Sequence, residues 1–386
     1  MKRKTGTYIT STVGGERYQA YIPDPLPPQP AIEMTSELVE AMEKANHALG
    51  RLDGISHVLP NINLFLYQYV RKEALLSSQI EGTQSSFADL LLYESDAVPG
   101  VPVEDTEEVS NYIAALQHGL ERLRGGFPLS LRFIREVHEI LLRGGRGSTK
   151  QPGEFRTSQN WLGGTRPGNA VFVPPPPERL MDCLDPFERY LNEEKPKMPL
   201  LIKIGMLHVQ FETIHPFLDG NGRTGRLLIT LLLCHHQILK EPMLYLSLHF
   251  KLNRSEYYQY LQQVRLEGDW ESWLVFYLNG INETANQAVN TAMKLKKIFE
   301  DDMEKIRKLG RISRSCLQVH QQLIEKVLIN IQDTSKALDI NRTTVSNCIE
   351  QLIELGIAKE ITGYKRNRYF VYDQYINELS AGTNPL

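Results

Sequence analysis

From about residue 35 to about residue 308, apolar positions recur at helical spacing along this chain. The run Ile62 to Glu81 sets Ile62, Leu66, Tyr69, Leu76 and Ile80 on one face, and Gly82 follows as a helix-ending residue. A second helix is expected over Thr106–Leu123, carrying Val109, Ile113, Leu116 and Leu120 and stopped by Gly125-Gly126. A third opens at Ser130 and continues through Ile134, Val137 and Leu141. Further helices are expected at about 177–194, 200–213, 225–239, 254–266 and 270–300. Residues 158–174 break the pattern. Asn160-Trp-Leu and Ala170-Val-Phe-Val173 favour strands, and Arg166-Pro-Gly-Asn169 between them suits a type II turn. A β-hairpin is expected there, ended by four prolines at 174–177.

Both ends have a different rhythm. The first 30 residues look extended, end in Pro23-Asp-Pro-Leu-Pro-Pro28 and are expected to wrap the surface of something else. From about 311 a helix (Leu317–Asn330) precedes a short helix (Thr334–Leu338), a turn (Asp339-Ile-Asn341) and a longer helix (Thr343–Leu355). Two β-prone runs, 357–361 and 368–372, flank Gly363. That order is the order of a winged helix-turn-helix. The expected fold is therefore mainly α. It has an N-terminal helical region (1–100), a helical core with a β-hairpin flap (101–308) and a small α+β winged helix (311–386).

Composition narrows the function classes. With 386 residues, 41% hydrophobic and 23% charged, the chain has the make-up of an ordinary globular protein of two or three domains. A net charge of −3 gives no global attraction to nucleic acid or anionic membrane. Four scattered cysteines (Cys183, Cys234, Cys316, Cys348) have no metal-ligand spacing and suit free thiols in a reducing compartment. The basic start, Met1-Lys-Arg-Lys4, lacks an apolar stretch behind it, and Leu227–Cys234 is too short to span a bilayer. A cytoplasmic location and no membrane partner are expected.

The chemistry concentrates at His215-Pro-Phe-Leu-Asp-Gly-Asn-Gly-Arg-Thr-Gly-Arg226, a tight loop that opens a helix. Gly220, Asn221 and Gly222 let main-chain amides converge on an anion, and the following helix adds its positive end. Arg223 and Arg226, three apart, can fork onto phosphate oxygens. Asp219 is a hard oxygen ligand suited to Mg²⁺ held jointly with phosphates. His215 has the pKa range of a general base. Taken singly, each of these is more often a turn residue or a solvated side chain. Together within twelve residues they describe a nucleotidyl-transfer site. Gly220-Asn-Gly-Arg-Thr-Gly225 also fits a dinucleotide fingerprint, but the hydrophobic strand that fingerprint requires is missing. No Gly-Lys-Ser/Thr follows, so a P-loop is excluded. His208 and His215 lack a metal-ligand spacing.

At these residues the sequence resembles the Fic family, whose motif His-Pro-Phe-x-Asp/Glu-Gly-Asn-Gly-Arg-x-x-Arg is matched at every position of 215–226. Gly153-Glu-Phe-Arg156 and Asn253-Arg-Ser-Glu-Tyr-Tyr258 are similar as well, and the resemblance covers roughly residues 20–300. It implies an AMP-transferring enzyme that uses ATP and Mg²⁺ and modifies a Tyr, Thr or Ser hydroxyl of another protein. On that resemblance, His215 takes the hydroxyl proton, Asp219 holds Mg²⁺ and Phe217 anchors the loop. Gly220, Asn221, Gly222 and Gly225 lie around the phosphates, and Arg223 and Arg226 bind the β- and γ-phosphates. Residues 158–174 resemble the flap that docks an extended target segment by strand addition; a plain connecting hairpin is the other reading. Tyr257 and Tyr258 are candidates for the adenine pocket, or equally core aromatics. Ser77-Ser-Gln-Ile-Glu-Gly82 resembles the family's inhibitory motif, which implies that Glu81, with Ser77 on the same face, pairs with Arg226 and blocks the γ-phosphate. Self-modification and a homodimer are further expectations.

Two other functions stay open at this point: removal of AMP at the same site, and a DNA-binding regulator whose core senses a nucleotide. In the tail, Arg342, Lys365, Arg366 and Arg368 suit phosphate contacts, while Glu350, Glu354 and Glu360 dilute the charge. DNA binding and protein docking are equal alternatives there.

Overall fold

The computed structural model describes residues 3–55, 62–95, 102–193, 198–363 and 367–385. The extended N-terminal stretch doubles back on itself. β1 (Gly6–Val13) pairs antiparallel with β2 (Glu16–Pro23) across Gly14 and Gly15, both at positive φ. Helices α1 (Ser36–Ile55), α2 (Ile62–Ile80), α3 (Phe87–Glu94), α4 (Val103–Arg124) and α5 (Leu131–Leu141) follow. Gly82, at φ +99°, turns the chain after α2. Ser130 caps α5, its side chain accepting from the Phe133 amide.

The core continues with α6 (Leu180–Leu191), α7 (Leu200–Ile214), α8 (Asn221–His235), α9 (Ser247–Leu252), α10 (Arg254–Glu267) and α11 (Trp270–Arg307). Every residue of α7 from Leu201 to Ile214 is buried, which makes it the central helix. Its one lysine, Lys203, is satisfied by donating to the Leu191 and Glu193 carbonyls at the end of α6, each at 3.1 Å. The 38 residues of α11 span about 57 Å, and α1 packs along it. The sequence did not signal α9 as a separate helix. It is a six-residue helix before Asn253, buried from Ser247 to Lys251.

The region 158–174 departs from expectation. It carries one antiparallel bridge, Leu162 to Phe172, in place of two full strands. Gly163 and Gly164, both at positive φ, interrupt the ladder beyond it. The turn is a 3-10 turn over Pro167–Asn169, with Gly168 outside the positive-φ region a type II turn requires. The Asn169 side chain decides this by accepting from the Thr165 and Arg166 amides, each at 3.0 Å. The base of this segment is tied to the N-terminal hairpin, the Tyr21 amide donating to the Val173 carbonyl at 2.9 Å.

The tail comprises α12 (Ser313–Lys326), β3 (Leu328–Asn330), α13 (Ile331–Leu338), α14 (Arg342–Glu354), β4 (Ala358–Glu360), β5 (Tyr369–Tyr372) and α15 (Asp373–Ser380). The expected helix Leu317–Asn330 stops early because Val327 takes φ +64°, and the three residues 328–330 pair with β5 instead. The sheet order is β3-β5-β4, antiparallel throughout. Lys365 and Arg366 lie outside the described residues.

One continuous apolar core runs from Ile32 to Leu379, and its polar seam reaches the end of α2. Gln79 Nε2 donates to the Thr383 carbonyl at 2.7 Å. Lys251 Nζ donates to Gln79 Oε1 at 2.6 Å and to the Gly382 carbonyl at 3.1 Å. Removing residues 381–386 strips these buried groups of partners, at about 1–3 kcal/mol for each unsatisfied group. Amide exchange at residues 77–82 is expected to accelerate about tenfold or more relative to the full chain. Unchanged protection would show that the tail contributes nothing to this helix end.

Candidate active site

Three features place His215. It ends α7, it precedes Pro216, and it takes the left-handed conformation, φ +50° and ψ +60°. A residue before proline is disfavoured in the right-handed helical region, so the helix cannot run on. The strained conformation is held by Arg156, whose Nε donates to the His215 carbonyl at 2.9 Å while its own amide donates to the Pro216 carbonyl at 2.9 Å. His215 Nδ1 faces the Glu212 carbonyl at 3.3 Å, which leaves Nε2 without its proton. Burial, with the charges of Arg156 and Arg265, pulls the imidazole pKa down to about 3, so the ring is neutral near pH 7.

The loop after His215 is built like a small core. Phe217 is fully buried and stacks on His138 at 3.6 Å between ring centres. His138 Nδ1 accepts from the Gly153 amide at 2.9 Å, so its Nε2 donates to the Asp219 carbonyl at 2.9 Å. The Asn221 side chain closes the turn, Oδ1 accepting from the Phe217 amide (2.9 Å) and Nδ2 donating to the Phe217 carbonyl (2.8 Å). Gly220 at φ +76° then opens α8. A Cβ on Gly220 would sit 2.4 Å from Leu142, and one on Gly222 would sit 2.3 Å from a Glu81 oxygen. The first amides of α8 lack intrahelical partners and border the cavity.

Arg226 is buried and held by the end of α2. Its Nε donates to Ser77 Oγ (2.9 Å), and its Nη2 donates to the Ser77 carbonyl (2.9 Å) and to Glu81 Oε1 (2.7 Å). Burial would raise the Glu81 carboxyl, but Arg226, with Arg223 and His215 behind it, brings it below its ordinary pKa. The same pairing keeps the buried guanidinium charged. Arg223 is equally buried. It faces Glu108 at 3.0 Å and Asp219 at 3.7 Å, and its Nε has no hydrogen-bond partner among the described residues. Glu108, which also receives Thr83 Oγ1 and Arg146, is raised in pKa by burial and partly restored by Arg223.

A cavity of about 280 Å³ gathers these groups. Glu81, His215, Asp219, Gly220, Asn221, Gly222, Arg223 and Arg226 all line it, with Trp161 and Leu162 of the flap segment on one side. Tyr257 and Tyr258 line it too, but differently. Tyr257 is buried, its hydroxyl bonded to His208 Nε2 at 2.8 Å, whereas Tyr258 is 41% exposed. Gly225 and Ser77 lie just behind. Among the described residues no group of three or more acidic, histidine or cysteine side chains is arranged for a metal.

Residues 128–233 match the model described as Fic/DOC family, and residues 39–121 match the Fic/DOC family N-terminal model. These two stretches of the chain are similar to the domain pair of the Fic/DOC family. Among its relatives is a protein named Protein adenylyltransferase Fic from Aedes aegypti. It is 32% identical over 257 residues, which are 63% of this chain and 48% of that protein. The namesake from Drosophila melanogaster is 30% identical over 208 residues, 53% of this chain and 39% of that one. The chain thus spans about half the length, or less, of these curated relatives. A Fic family protein from Desulfovibrio desulfuricans shares the fold at a TM-score of 0.58 and 19% identity, over 89% of this chain and 98% of that one. A Fic-1 fragment from C. elegans matches at a TM-score of 0.50 and 22% identity, over 68% and 73%.

Several residues of this site escaped the sequence reading. Glu108 gave a signal, an acidic residue beside Val109 and Tyr112 on the buried face of a helix. His138 lies likewise on the apolar face of α5, and Arg156 ends the quoted Gly153-Glu-Phe-Arg156. Arg265, deep in the cavity and donating to Thr213 Oγ1 at 3.1 Å, gave none. Phe217→Ala should cost about 3–5 kcal/mol of stability, because it removes the stacking partner of His138 from a fully buried position. Denaturant unfolding measures this. A loss under about 1 kcal/mol would mean the loop is held by Arg156 and Asn221 alone.

Proposed function

We propose that the chain is a protein adenylyltransferase that moves AMP from ATP to a hydroxyl side chain of a target protein and is restrained by its own Glu81. The observation that carries this reading is the cavity itself. A neutral His215, the positive end of α8 and two buried arginines face one space bordered by the flap segment.

In this reading the triphosphate lies over Gly220, Asn221 and Gly222, with Arg223 and Arg226 forked onto its outer phosphates. The target hydroxyl comes in beside His215. Nε2 takes its proton, the oxygen bonds to the α-phosphorus, and the bond to pyrophosphate breaks. Orientation and fixed positive charge supply most of the rate. Asp219 fits a Mg²⁺ ion that arrives with ATP better than one the protein holds alone. It is a half-exposed carboxylate that belongs to no group of three or more possible metal ligands among the described residues. Bound there, Mg²⁺ would neutralise phosphate charge. Tyr257 and Tyr258 border the space left for adenine. Glu81 is the restraint, since Arg226 cannot serve Glu81 and the γ-phosphate at once.

The flap segment supports strand addition of an extended target, because Val171 is 71% exposed beside the Leu162–Phe172 bridge. We read residues 313–372 as a winged helix from the order of its elements and its three-stranded sheet. Arg342 is exposed at the start of α14, the position that meets phosphate in such modules. DNA, a protein partner or a second copy of the chain could each meet that face. Any salt-dependent duplex binding at low ionic strength favours DNA, and its absence favours protein.

Glu81→Gly should raise labelling of target and of the chain itself by about tenfold or more, because it releases Arg226. Arg226→Ala breaks the same pair and should give no gain. Labelled ATP in cell lysate reads both. Equal labelling by the native chain and Glu81→Gly would remove the restraint from the account. His215→Ala should abolish transfer while ATP binding persists, and undiminished labelling by that variant would remove His215 as base. Asp219→Ala should raise the Mg²⁺ requirement strongly, unless the native chain transfers AMP equally well in excess chelator.

A further inference from the structure

Glu212 stands three residues before His215 on the last turn of α7, buried, with two of its oxygens turned to one ring nitrogen. Its carbonyl accepts from His215 Nδ1 at 3.3 Å, and its carboxylate Oε2 lies 3.9 Å from the same atom. The other carboxylate oxygen, Oε1, is buried and has no hydrogen-bond partner among the described residues. The opposite wall is shaped for this group. A Cβ on Gly225 of α8 would fall 2.6 Å from Oε1, so a glycine leaves the slot open. Arg265 of α10 fixes the same turn, its Nη2 donating to the Glu212 carbonyl at 3.1 Å. A buried carboxyl with an unfilled oxygen is costly to keep, and packing alone does not call for one here.

We propose that Glu212 is a positioning residue for His215, its carboxylate standing behind the ring to hold the imidazolium that forms when the target hydroxyl gives up its proton. The proposal rests on the reading of His215 as base. In the transfer step the hydroxyl proton goes to Nε2, the oxygen joins the α-phosphorus and pyrophosphate departs. Nδ1 keeps its hydrogen throughout, and Glu212 takes no proton. Its contribution is the attraction between its negative charge and the transient positive ring, strongest where water is excluded. The charged groups that face the pair are Arg226 from α8, Glu81 beyond α2, Arg265 from α10 and Arg156 before the flap segment. His208 and Tyr257 also border it, both neutral, with the histidine lowered to about 3 and the tyrosine raised by burial. Burial carries the Glu212 carboxyl up to about 7, so it ionises across the neutral range while His215 stays neutral. The group that switches on with rising pH is then the acid behind the base.

The direct readout is the nucleophilicity of His215, measured by diethyl pyrocarbonate modification of the full chain and mass spectrometry of the His215 peptide. In the native chain the rate should rise several-fold between about pH 6 and pH 8, as Glu212 ionises. Glu212→Gln, which keeps the shape and removes the charge, should flatten that rise and slow modification about threefold or more at the upper pH. A flat profile in the native chain, or an unchanged profile in Glu212→Gln, overturns the proposal whether or not the chain transfers AMP. In the Glu81→Gly background, Glu212→Gln should also lower kcat for AMP transfer about tenfold or more, with KM for ATP held within about twofold. Equal losses in both constants would mark a merely structural role. If Glu81→Gly alone transfers no AMP, the proposed function fails, and the modification profile still decides the role of Glu212.

Discussion

A guanidinium buried to 1% exposure has to be answered from every side, and Arg226 is that group here. An unpaired charge at such a depth would cost several kcal/mol. The end of α2 answers it with the Ser77 hydroxyl, the Ser77 carbonyl and the Glu81 carboxylate. Those partners require α2 to end where it does, which Gly82 and the tail contacts to Gln79 secure. They require Gly222 as well, since any larger residue there would displace Glu81. The position of α8, and with it the cavity, follows from satisfying one charge.

The same economy governs the loop between α7 and α8. His215 ends the central helix in a left-handed conformation that only a well-braced loop tolerates. Arg156 braces it from the side of the flap, His138 and Phe217 from below, and Asn221 from within. Most polar side chains of the motif are therefore engaged in holding the loop. What remains without a partner among the described residues is the main-chain end of α8, the buried Nε of Arg223 and the free nitrogen of His215. Under the proposed function, preorganisation of this kind leaves little reorganisation to be done when a phosphate arrives.

Much of this was legible in the sequence because the signals were local. The spacing of apolar residues located α2, α4 and α5 closely, and the glycines and the proline at 216 marked the turn that sets His215 at the cavity. Ser77 and Glu81, four apart, had to share a face, and both meet Arg226. What escaped was decided by distant contacts. Val327 ends α12 because Leu328–Asn330 find a partner strand some 40 residues later, a pairing no local pattern encodes. The flap is less regular than its β-prone residues suggest because the Asn169 side chain closes the turn and paired glycines interrupt the ladder. Glu108, Glu212 and Arg265 are single charged residues on helices whose burial becomes evident only after the helices pack.

The central claim is that Glu81 occupies the arginine which the γ-phosphate needs. Calorimetric affinities for ATP and ADP, taken on the native chain and on Glu81→Gly, test it without relying on any target protein. The native chain should bind the two nucleotides about equally, and the variant should gain a preference for ATP of about fivefold or more, the energy of a charge-assisted contact to the last phosphate. An ATP-to-ADP ratio that is the same in both chains would contradict the claim.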